Sequence, residues 1–175
     1  MRERATMNER AARGWTRWLA LSAAVVALDL ATKAWVTHAF SIGESLEVTP
    51  FFNLVLVHNT GAAFSFLAGA GGWQRWFFVA VTLAVAAVLV VMLRRSSSNA
   101  MLSAALALVL GGAAGNLWDR ASVGYVVDFV QVHALGYYFP AFNVADSAIT
   151  IGVALLLWDS FRAQGAVPAQ PERPK

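Results

Sequence analysis

The sequence predicts a membrane all-α fold with a small β element: four transmembrane helices plus an extracytoplasmic β-cradle at the outer membrane interface. Three observations predict it. Of the 175 residues, 58% are hydrophobic and only 13% charged, whereas soluble domains carry about 25% charged residues. Four apolar runs, about 15–37, 75–93, 101–118 and 141–160, each come near the ~20 residues needed to cross ~30 Å of hydrocarbon. Finally, basic residues fill alternate connections between these runs, as an even number of spans requires.

The first run follows Arg10, Arg13 and Arg17 in the manner of a signal peptide. It contains Asp29 and Lys33, however, and no small-residue cleavage site precedes the next polar segment, so it reads as a retained helix. Residues 46–57, Leu-Glu-Val-Thr-Pro-Phe-Phe-Asn-Leu-Val-Leu-Val, are rich in β-branched and aromatic types and predict short strands lying on the membrane. Gly69 to Gly72 form a turn before the second run. The third run is the shortest, with room to start before Asn99 or to continue beyond Trp118. After the fourth, the Pro- and Gln-containing residues 163–175 read as a disordered cytoplasmic tail, leaving residues 1–162 as one domain without internal repeats. All seven tryptophans, Trp15, Trp18, Trp35, Trp73, Trp76, Trp118 and Trp158, fall near a span end, where interfacial anchors belong.

Charge sets the orientation. Arg2, Arg4, Arg10, Arg13 and Arg17 precede the first span, Arg94 and Arg95 separate the second from the third, and Arg162, Arg173 and Lys175 follow the fourth. The other connections hold only Arg75 and Arg120. Both termini are therefore expected in the cytoplasm, with 38–74 and 119–140 facing outward. The net charge of +3 does not imply a nucleic-acid partner, because the arginines sit beside apolar runs and face anionic lipid headgroups. The absence of cysteine excludes disulfides and thiol nucleophiles. His38, His58 and His133 lack metal-ligand spacing, so neither a metal nor another cofactor is expected. A Ser–Lys dyad would have to use Lys33, and no serine motif supports it.

What remains is a set of polar residues within or beside lipid. Asp128 and Asp146 lie at the membrane edge, where an ionised carboxylate costs several kcal/mol or changes its pKa. Topology puts both on the same side. Two close carboxylates share one proton, which supplies an acid and a base together. At ~1.5 Å per residue, Asp29 lies ~17 Å beyond Trp18, Asp146 ~18 Å from Trp158 and Asn116 ~22 Å from Met101, all in one layer of the outer half. Asp29 with Lys33, Asn116 with Asp119 and Arg120, and Asn143 with Asp146 each share a helix face. Plainer readings stand beside these: an intrahelical Asp29–Lys33 ion pair, Asn143 as a helix cap, and Asp119, for which this reading is preferred, as a helix end at the headgroups. Arg120 runs against the positive-inside bias and needs a reason, such as pairing with a carboxylate or a substrate carbonyl. Gly111 and Gly115 form a small-xxx-small packing pair. Glu44, Glu47 and Asp159 read as solvated.

Five motifs, Asp29-Leu-Ala-Thr-Lys33, Asn59-Thr-Gly61-Ala-Ala-Phe64, Gly111-Gly-Ala-Ala-Gly115-Asn116-Leu-Trp-Asp119-Arg120, Val127-Asp128-Phe129 and Phe142-Asn143-Val-Ala-Asp146, together resemble the lipoprotein signal peptidases (signal peptidase II). The resemblance implies a monomeric aspartyl endopeptidase of the bacterial inner membrane. Its substrates would be prolipoproteins carrying diacylglyceryl on a cysteine, cut just before that cysteine. It also implies that Asp128 and Asp146 are catalytic, that Asn59, Gly61, Asn116, Arg120 and Asn143 line the substrate site, and that Asp29 and Lys33 support it. The outward strands would form the cradle, and residues 62–72 a mobile cover. Two rivals are a small proton-coupled transporter, which would want polar groups continuing to the cytoplasmic side, and a non-catalytic assembly subunit, which would tolerate asparagine at both aspartates.

Overall fold

The computed structural model describes residues 14–61, 71–96 and 99–164. The arginines before Gly14, residues 62–70 of the expected cover and the tail from residue 165 onward lie outside the described residues. In chain order the elements are α1 (Thr16–Ala39), β1 (Ser45–Thr49), β2 (Phe52–Asn59), α2 (Trp73–Arg95), α3 (Ala100–Ser122), β3 (Val126–Ala134), β4 (Tyr137–Tyr138) and α4 (Val144–Gln164). All four helices are long and apolar enough to cross a membrane.

The helix α3 is central and packs against each of the other three. Its glycines explain why. A Cβ at Gly111 would lie 2.8 Å from the Ser22 carbonyl oxygen of α1, one at Gly112 would collide with the Ala145 carbonyl of α4, and one at Gly115 would stand 2.5 Å from the Asp29 carboxylate. The Gly152 position on α4 is equally close to Ala105 and Val109. In lipid no hydrophobic force drives helices together, so this close backbone approach, with the dispersion it allows, does that work. The Ser22 hydroxyl adds a bond across the α1–α3 contact, donating to the Ala107 carbonyl at 2.8 Å.

Two apolar clusters occupy opposite ends of the bundle. Leu89, Leu93, Leu106 and Leu110 pack under Trp15, Trp18 and Leu19 at one end, where the Arg94 guanidinium lies 4.8 Å over the Trp15 ring. At the other end Val36 of α1 meets Leu56, Val127 and Phe129 of the sheet. The sheet has order β1-β2-β3-β4, every neighbouring pair antiparallel. At its tip, Leu135 and Gly136 both take positive φ, 52° and 83°, between the paired Ala134 and Tyr137. This is the turn whose twist matches a tight hairpin.

Three boundaries differ from expectation. The strands are not confined to residues 46–57: β3 runs through Val126–Ala134 in the second connection, placing Asp128 on a strand. The third helix continues past Trp118 to Ser122, taking Asp119 and Arg120 inside it. The fourth begins at Val144 rather than 141, because Phe142 is still paired with Val130 of β3, its N–H donating to the Val130 carbonyl at 3.0 Å. Asn143 caps this helix, the plainer of the two readings of that residue, with its Oδ1 accepting from the Asp146 N–H at 2.9 Å.

Candidate active site

Asp128 lies near the middle of β3 and is 2% exposed. Its neighbours are chosen by strand register. Leu54 opposes Val130, but Val57 opposes Asp128 and Asn59 opposes Val126, so one extra residue is inserted in β2 between Leu54 and Val57. Without this bulge, alternation would turn Asn59 to the face opposite Asp128. With it, Asn59 shares that face and its Nδ2 donates to Asp128 Oδ2 at 3.0 Å. The remaining Asn59 oxygen accepts from the Gly61 N–H at 3.0 Å, which fixes the orientation of the amide.

Asp146 sits in the first turn of α4, where the helix dipole favours a negative charge. One residue, Asn143, joins it to Asp128. The Asn143 Nδ2 donates to Asp128 Oδ1 at 2.7 Å, while its backbone N–H donates to Asp146 Oδ2 at 3.3 Å. The second Asp146 oxygen, Oδ1, accepts from Asn116 Nδ2 at 2.7 Å. Burial, together with the nearby Asp146 charge, raises the Asp128 pKa from 3.8 to about 7, although hydrogen bonds from Asn59 and Asn143 pull the other way. Desolvation dominates because the strand position excludes water from a carboxyl that lacks a direct cation.

Beneath this pair lies a buried ionic node. The Lys33 Nζ contacts Asp29 Oδ2 at 2.7 Å, Asp119 Oδ2 at 2.9 Å and Asn116 Oδ1 at 3.0 Å. Three acceptors match the three protons of an ammonium. Each partner then reaches a site element. Asp29 Oδ1 accepts from the Ala145 N–H of α4 at 2.9 Å, Asp119 Oδ2 accepts from the Val127 N–H of β3 at 3.2 Å, and Asn116 holds Asp146. Asp29 therefore makes the expected i,i+4 ion pair and also anchors α4. Asp119 is no headgroup cap. It is 6% exposed, and sequence reasoning missed its role because its cation comes from another helix. The available signal was its spacing of three from Asn116, with the third span free to extend.

Arg120 donates from Nη2 to the Gly61 carbonyl at 3.0 Å and from Nη1 to the Asn116 carbonyl at 3.4 Å. Its partners are thus backbone carbonyls of the protein itself rather than the carboxylate or substrate carbonyl expected of it, and its guanidinium packs 5.2 Å over Phe78. Asn59, Asn116, Arg120, Asp128 and Asp146 open on one cavity of about 580 Å³. Its other walls are mostly apolar and include Phe142 together with Phe139, Pro140 and Ile151, the last three of which the sequence had not marked. Gly61, Asn143, Asp29 and Lys33 do not line the cavity but hold the residues that do. His58 and His133 stack on Tyr125 and Tyr138 with centroids 3.9 and 4.9 Å apart; both are framework residues of the sheet.

The chain is similar to known proteins in both sequence and fold. The profile of signal peptidase (SPase) II matches residues 21–162. A lipoprotein signal peptidase of Azoarcus sp. (strain BH72) is 51% identical over 158 residues, 90% of each chain. One of Paraburkholderia phymatum is 48% identical over 157 residues, covering 90% of this chain and 95% of the relative. A bacterial membrane enzyme solved by the in meso method at 2.3 Å resolution superposes with a TM-score of 0.81 at 32% identity, over 90% of this chain and 95% of that one. A second, solved at 1.9 Å, gives 0.73 at 35% identity over 83% and 92%. The transporter alternative finds no support among these relatives. Across most of its length, in sequence and in fold, the chain belongs to the signal peptidase II family of aspartic endopeptidases.

Proposed function

We propose that the protein removes signal peptides from diacylglyceryl-modified prolipoproteins of the bacterial inner membrane, cutting before the lipid-modified cysteine, with Asp128 and Asp146 as its catalytic pair. The observation that carries this reading is the bridge through Asn143, which binds Asp128 at 2.7 Å and Asp146 at 3.3 Å beside an open cavity. Asp128, with its raised pKa, holds the shared proton and Asp146 acts as the base. The titration belongs to the coupled pair rather than to either residue.

In the first step Asp146 takes a proton from water as its oxygen attacks the scissile carbonyl, and Asp128 gives its proton to the carbonyl oxygen. A neutral gem-diol results. Asp146 then passes its proton to the amide nitrogen, the C–N bond breaks, and Asp128 recovers a proton from a diol hydroxyl. Every proton is returned, with no acyl-enzyme and no metal needed. Asn59 and Asn143 orient Asp128, and Asn116 orients Asp146. Arg120, with Gly61 in its grip, shapes the substrate side, and Lys33 with Asp29 and Asp119 fixes the frame.

The membrane setting follows the charge pattern: both termini cytoplasmic, the sheet as a cradle at the extracytoplasmic face, and the site in the outer half of the bilayer beside a lipid-anchored cysteine. One protomer carries every group used, so a monomer suffices. The test is incubation of the purified protein with a precursor bearing or lacking the diacylglyceryl group, with mass spectrometry of the products. Cleavage before the cysteine of the modified precursor is expected. Cleavage elsewhere, or indifference to the lipid, would contradict the reading.

A further inference from the structure

A second cavity, of about 540 Å³, adjoins the first. Phe139 and Pro140 line both, and Phe51, His133, Tyr137 and Tyr138 complete the aromatic wall of the second. The tight β3–β4 turn preforms this wall, and the His133 ring is pinned between Asn53 Oδ1, at 3.1 Å, and the stacked Tyr138. Phe51 and Tyr138 are each 61% exposed and Tyr137 is 83% exposed, so the groove presents open aromatic faces.

Direction decides what the groove can hold. On the α4 side the catalytic cavity descends from Asp146 through Ser147, Thr150 and Ile151, along the helix into the apolar body of the bundle. On the proposed function, that route suits the signal peptide, the apolar part of the substrate. The chain leaving the scissile bond on the other side must then pass Phe139 and Pro140. From Asp128 to Val132, a wall residue of the second cavity, is four residues of strand, or ~13 Å. An extended peptide covers that distance in about four residues. Aromatic walls bind such a segment through ring faces and tyrosine hydroxyls while tolerating varied side chains.

We infer that this groove is a subsite for the peptide segment C-terminal to the cut, taking the residues that follow the modified cysteine. The inference rests on the proposed function, and its test separates the two. Two diacylglyceryl-modified peptides are compared, identical up to the cysteine, one ending at the cysteine amide and one continuing for four residues. The unaltered protein is expected to cleave both, the longer with about tenfold higher kcat/KM. Tyr138→Ala should reduce that advantage to less than twofold while leaving the short peptide's kcat/KM unchanged, and Tyr138→Phe should keep it. Equal kcat/KM for the two peptides in the unaltered protein would overturn the subsite. So would a Tyr138→Ala variant that slows both peptides alike, the result expected of a hairpin seated in lipid. No cleavage of either peptide by the unaltered protein would overturn the proposed function itself.

Discussion

At the end of the bundle away from the sheet, Leu89, Leu93, Leu106 and Leu110 interlock beneath Trp15 and Trp18. At the sheet end α1 and α3 carry Asp29, Lys33, Asn116 and Asp119, with Asp128 and Asn143 close by, all under 9% exposed. The first end is held mainly by dispersion, many weak contacts that degrade gradually when one side chain shrinks, with the Arg94 guanidinium over Trp15 added to them. The second is held by charges whose desolvation is offset only by complete pairing, so losing one partner strands the others in a medium that cannot solvate them. Packing at one end keeps the helices together. Polar satisfaction at the other sets where two carboxylates stand.

Substitutions should separate the two ends, the largest effect falling on the dyad. Asp128→Asn or Asp146→Asn is expected to lower the cleavage rate by about 10³-fold or more while the protein still purifies folded from the membrane. Next comes the node: Lys33→Met removes the cation shared by Asp29 and Asp119 and should cost about 3–5 kcal/mol, with activity falling in step. Leu93→Ala at the apolar end should cost about 2–3 kcal/mol yet leave activity per folded molecule unchanged. Chemical denaturation paired with an active-fraction assay measures both variants. Gly112→Ala would drive a methyl against the Ala145 carbonyl and shift the first turn of α4, which carries Asp146; a loss of roughly 10- to 100-fold in kcat is expected, together with a clear loss of stability from overpacking of the α3–α4 contact.

The smallest effect is pH-dependent stability. The Asp128 pKa is raised in the folded protein, from 3.8 to about 7, so the native state binds this proton more tightly than the unfolded chain. Its stabilising contribution is full below pH 3.8 and is lost as pH rises toward 7. Asp128→Asn removes the dependence. The Tm of the variant relative to the unaltered protein, read from tryptophan fluorescence in detergent, should therefore rise by several degrees between pH 4 and pH 8. A difference that shrinks over this range would place the dominant titration elsewhere.

The two ends also differ in how far the sequence revealed them. Four spans were legible because apolar length and arginine placement are local signals. The dyad stood out because carboxylates in lipid are costly enough to demand a reason. The depth calculation that put Asp29, Asn116 and Asp146 in one layer matches their meeting through Lys33 and Ala145. What escaped was set by tertiary pairing. The β3 strand was overlooked although Val126, Asp128, Val130 and Val132 alternate with Val127, Phe129 and Gln131, because both faces carry apolar residues and no clean alternation shows. The bulge that turns Asn59 toward Asp128 has no marker in Val55-Leu56. Asp119 looked like a helix end because its partner is 86 positions away, on α1.

Whether Asp128 and Asp146 act as one proton-sharing unit is tested most directly by single-turnover cleavage of a diacylglyceryl-modified precursor. The variants compared are Asp128→Asn, Asp146→Asn and the double substitution. Groups that work as a unit are strongly non-additive, so all three should fall to the same residual rate. Losses that multiply in the double variant, or substantial cleavage by either single variant, would contradict a shared dyad.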